Sequence, residues 1–84
     1  MEKGKVKWFN LDKGYGFIEP DDGSEDIFVH ISEVEKAGYR SLVNNQYVGY
    51  ELFTKKGKSY AINLQLLYFL TRLEQSLDFI IITI

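Results

Sequence analysis

Short runs of alternating apolar and polar residues, broken by clusters of turn-forming residues, fill about the first 66 positions of the chain. A period of two places successive side chains on opposite faces of a strand. The first such run covers roughly Lys5 to Asn10 and ends in the turn "LDKG". The second runs from Tyr15 to Glu19 and stops at Pro20, where "PDDGSED" supplies dense turn chemistry. "DIFVHI", Asp26 to Ile31, is a third. Ser32 followed by Glu35 has the spacing of a capping box, so a short helical turn is expected there, with Gly38 as its stop. Asn44-Asn45 suits a tight turn before the fourth run, "QYVGYELF", which places Val48, Tyr50 and Leu52 on one side. After "TKKGK", the fifth run, "SYAINLQL", places Tyr60, Ile62, Leu64 and Leu66 on one side.

Five short antiparallel strands in one small domain predict an all-β chain, a closed or nearly closed barrel of the OB-fold type over residues 1–66. Residues 67–84 follow as an apolar extension. Leu66, Leu70, Leu73, Leu77, Ile80 and Ile84 fall at helical spacings, whereas "DFIIITI" by itself favours strand and resembles an aggregation-prone segment. Both readings stand. Arg72, Glu74, Gln75 and Asp78 interrupt the extension, which argues against a membrane span. Self-association into a homo-oligomer would cover its apolar stripe. An extension without a biological role is the alternative.

The alternation also sorts the second and third strands into two unlike faces. Ile18, Ile27 and Val29 suit the barrel interior, which leaves Tyr15, Phe17, Phe28 and His30 facing water with Lys13 beside them. A ring such as Phe left in water forgoes roughly 1.5–3 kcal/mol of burial, and small proteins seldom expose contiguous apolar patches without a use. Glycines at 14 and 16 keep that face uncrowded. Trp8 would join its rim if a bulge interrupted the first strand. Unpaired bases stack on flat side chains while lysines follow phosphates, so this face predicts binding of single-stranded RNA or DNA with tolerance of sequence. Cross-strand aromatic pairs that merely stabilise a sheet are the competing explanation. The same arrangement on two adjacent strands, with flanking lysines, favours the binding surface.

Composition changes this picture in three places. Aromatic residues make up 15% of 84, more than a thin core requires. The formal net charge is −2, which opposes simple polyanion binding, yet the charges are segregated. Lys3, Lys5, Lys7 and Lys13 cluster early and Lys55, Lys56 and Lys58 later, while Glu19, Asp21, Asp22, Glu25 and Asp26 gather between them. There is no cysteine and one histidine, so no disulfide framework, thiolate metal site, cofactor or catalytic constellation is expected. The acidic "DDGSED" lacks the ligand spacing of a calcium loop. An N-terminus without an apolar signal core and the absence of cysteine predict a cytoplasmic protein.

"GKVKWFN", "KGYGFI", "DIFVH" and "GYRSL", in that order, resemble the bacterial cold shock proteins over roughly residues 2–66. The resemblance implies a five-stranded OB barrel that binds single-stranded RNA and DNA and acts as an RNA chaperone or as a modulator of transcription or translation. It implies no enzyme activity. Carried over by position, the binding residues are Lys7, Trp8, Phe9, Lys13, Tyr15, Phe17, Phe28, His30, Tyr39 and Arg40. Phe9 differs in parity from Trp8. Ile31 stands where the family usually has a phenylalanine, which removes one stacking platform and predicts weaker binding or a shorter footprint. "GKSYAIN" lacks the family's usual proline, so a more mobile final hairpin is expected. A protein-interaction or assembly module remains the second functional class, distinguished by its weaker response to salt.

Overall fold

The computed structural model describes residues 1–67, so the expectations for the rest of the C-terminal extension, its conformation and its self-association, lie outside the described residues. The described chain forms β1 (Glu2–Asn10), β2 (Tyr15–Pro20), β3 (Ile27–His30), α1 (Ile31–Lys36), β4 (Tyr47–Lys55) and β5 (Lys58–Leu66). The strands close into a barrel in the order β1-β2-β3-β5-β4. The architecture is the expected five-stranded barrel, but β3 and β5 pair in parallel, not antiparallel. The chain reaches β5 from β3 only after passing through α1 and β4, and it returns along the same direction.

Val6, Ile18, Ile27, Val29, Val34, Leu42, Val48, Tyr50, Ala61 and Leu64 form the core. Burial of Ile18, Ile27 and Val29 matches the face assigned to them by alternation. Gly4 and Gly16 allow β1 and β2 to close up. A Cβ on Gly16 would lie 2.3 Å from the Trp8 carbonyl oxygen and 2.8 Å from the Phe9 Cα.

Three local expectations are corrected. The third strand ends at His30, and Ile31 begins α1, because the N-cap is His30 and not Ser32. His30 Nδ1 accepts from the Ser32 backbone N–H at 3.1 Å, which ends the ladder one residue early. Gly38, at φ 93°, follows the helix as expected. In β4 Val48 and Tyr50 are buried, whereas Leu52, grouped with them by alternation, is 48% exposed; the pairing irregularity beside Tyr50 places its extra residue on β5, where Asn63 and Leu64 stand opposite Tyr50.

In β5 the alternation fails at Asn63, which adopts a left-handed φ of 51°. Its backbone N–H donates to Glu33, its side-chain amide donates to Glu51, and Lys36 donates to its amide oxygen. Ala61 and Leu64, on either side of this break, are the buried residues, and Tyr60 faces outward from the core set. The β4–β5 hairpin, expected as a more mobile loop, closes on Lys56 and Gly57, with φ of 53° and 78°. Two successive positive φ values match the twist of the flanking strands, and Lys55 pairs directly with Lys58.

Candidate nucleic-acid interface

The interface begins with a bulge in β1. Val6 pairs with Ile18 and Trp8 with Phe17, so the register shifts by one residue around Lys7. An extra residue on one strand resets the parity of side chains beyond it. Val6 therefore points into the core, Lys7 and Trp8 both face out, and Phe9 turns back to pack against the core cluster. Trp8 is 37% exposed and meets the rings of Phe17 at 5.4 Å and Tyr15 at 5.7 Å between centroids.

The other rings follow from register. Tyr15 lies opposite His30, and Phe17 opposite Phe28. Tyr15 and Phe28 stack at 5.5 Å with planes 22° apart, while Phe17 meets Phe28 nearly perpendicularly at 5.8 Å. Tyr15, Phe17 and Phe28 are half-buried. Each ring thus steadies its neighbours edge-on or face-on, an arrangement worth about 0.5–1.5 kcal/mol per pair beyond burial. His30 is exposed, and its bonds to Ser32 hold the imidazole at the margin of this surface.

Two further rings extend the surface. Phe28 pairs with Tyr60, and Tyr60 with Phe53, with centroids 5.7 and 6.5 Å apart. Trp8, Phe17, Phe28, Tyr60 and Phe53 are therefore successive register partners, one from each strand, in a single row across the barrel. The signal for Tyr60 was Asn63, a residue type that tolerates the left-handed region and so can break a strand's alternation.

The remaining candidates are dispersed. Lys13 is exposed in the turn that leads into β2, where its backbone N–H donates to the Asn10 side chain at 2.9 Å. Tyr39 and Arg40 are exposed beyond α1, and no ring pair among the described residues includes Tyr39. Tyr39 instead borders a separate recess with Val43, Tyr47 and Leu66. Ile31 is half-buried against the core, close to Gly14.

Lys7 does not present a bare charge. Its ammonium donates to Asp26 at 2.9 Å, and this hydrogen bond, reinforced by the Asp26 charge, raises the lysine pKa. An exposed pair of this kind contributes little to stability. It does compete with a phosphate for the ammonium. Asp26→Asn should scarcely change the melting temperature but should release Lys7. The plot of log affinity for oligothymidine against log salt should then steepen by about 0.7, one phosphate's share. An unchanged slope would mean that Lys7 stays off the backbone path.

A five-stranded OB-type barrel with half-exposed rings ranked across its strands defines the class of this protein. The chain belongs to the "Cold-shock" DNA-binding domain family, whose pattern matches residues 2–67. Cold shock protein CspA of Rhizobium meliloti is 60% identical to it over 67 residues, covering 77% of this chain and 97% of that protein. The cold shock-like protein CspA of Rickettsia typhi is 53% identical over 62 residues, 74% of this chain and 89% of the relative. A probable cold shock protein A of Mycolicibacterium smegmatis is 54% identical over 52 residues, 62% and 78% of the two chains. Among the described residues no helix is long and apolar enough to cross a membrane.

Proposed function

We propose that this chain binds single-stranded RNA and DNA on its aromatic face and holds the strands unpaired, as a cytoplasmic RNA chaperone or modulator of transcription or translation that carries out no chemistry itself. Residues 1–66 are the binding unit. The observation that carries this reading is the mutual contact of Trp8, Tyr15, Phe17 and Phe28, four rings kept partly open to solvent on one side of a closed barrel. Unpaired bases find flat partners there. A duplex, whose base faces are already stacked, does not. Stacking is worth about 1–3 kcal/mol per base and is indifferent to base identity. Phosphate contacts come from exposed lysines such as Lys13, in a chain whose net charge is −2, so the salt dependence should be measurable but shallow.

Trp8 is the single tryptophan and stands in the ring cluster, so its fluorescence reports directly on the site. Titration with short oligothymidines should quench it to saturation, with the midpoint moving to higher ligand concentration as salt rises. A flat trace from demonstrably folded protein would overturn the single-strand reading and favour an assembly role.

A further inference from the structure

The row of rings continues past Phe28 onto the final hairpin, and beside it lies a recess of about 760 Å³. Its walls are Phe28 and Tyr60 on one side, the Ser24–Asp26 loop on another, and Leu52 with Lys58 at the hairpin. We propose that this recess is an additional nucleobase subsite, with the base held against Tyr60 and its phosphate met by Lys58. The proposal rests on the single-strand reading above and extends the strand's path over β5 and β4.

Four observations identify the occupant. Tyr60 is the register partner of both Phe28 and Phe53, so the subsite is continuous with the aromatic surface on its open side. Phe53, 47% exposed, ends the row and offers a further flat surface to the same strand. Glu25 and Asp26 line the recess, and carboxylates repel a phosphate but accept from the N–H groups on a base edge. Lys58 lies next to the tight Lys56-Gly57 turn, which fixes the strand that carries it. The base accordingly points inward and the phosphate outward.

The test compares how much affinity the full-length chain gains as oligothymidine is lengthened, read by Trp8 quenching. In the unaltered protein the gain should continue to a length that reaches the hairpin. Tyr60→Ala should reduce that gain about tenfold, in line with one lost stacking contact. Tyr60→Phe, which keeps the ring, should retain it. Phe53→Ala, at an exposed position, should reduce the gain as well and guards against misfolding of the Tyr60 variant. Phe17→Ala separates the two readings. If Phe17→Ala lowers affinity while folded Tyr60→Ala and Phe53→Ala keep the full gain with length, the subsite is overturned and the single-strand reading stands. If no oligonucleotide quenches Trp8 in any variant, both fall together.

Discussion

Phe17→Ala is expected to weaken binding of oligothymidine about tenfold or more, the loss of at least one base-stacking contact. Phe17 holds the middle of the original cluster. It is the register partner of Trp8 and of Phe28, and it lies within 6.4 Å of Tyr15. Truncation removes one platform and also the edge that orients three others, so the effect on affinity should exceed that of any ring at the margin. The fold should survive, because Val6, Ile18 and Val29 remain packed inside. Parallel measurements of quenching and thermal melting distinguish the two effects. A cooperative melt with unaltered affinity would eliminate stacking on this face as the mechanism.

The largest effect on stability is expected from Gly16→Ala. Gly16 sits between β1 and β3, opposite Phe9 on one side and Val29 on the other. A methyl group there meets backbone atoms, the Trp8 oxygen and Phe9 Cα, which cannot rotate out of the way as a side chain could. Overpacking against backbone should reach the upper end of its usual range, about 3 kcal/mol or more. In a domain of this size such a loss lowers the melting temperature by about 12 °C or more. Because the displaced residues include Trp8, its fluorescence should shift in the same variant. An unchanged melt would show that β1 and β2 can part locally without loosening the barrel.

The sequence made the strands and the interior legible wherever period-two alternation ran unbroken. Ile18, Ile27, Val29 and the faces of β2 and β3 follow directly from it. The expectation that a bulge would bring Trp8 to the rim also agrees with the structure, since the shift at Lys7 does so. The errors cluster where backbone geometry resets the parity. Asn63, where β5 carries one residue more than β4 between the Gly49 and Glu51 pairs, and the cap at His30 each change which way neighbouring side chains point, and neither alters the hydrophobic pattern itself. Period two groups Tyr60 with Leu64 and Leu52 with Tyr50, yet Leu64 and Tyr50 are buried while Tyr60 is half-buried and Leu52 is exposed. Long-range partnerships were likewise invisible. Nothing in the spacing announces that Asp26 would hold Lys7, or that Glu33 and Glu51 would meet at Asn63.

The aromatic row has a consequence for how the surface comes into being. Trp8, Phe17, Phe28, Phe53 and Tyr60 are scattered through most of the domain, and they become neighbours only when four separate strand pairings are all in register. A chain that has formed one hairpin owns two of these rings side by side and no more. The complete surface thus certifies that these four pairings are in register: a partly assembled or slipped chain presents a truncated one, and a ligand that spans the full row selects the correctly paired molecule from among its folding competitors.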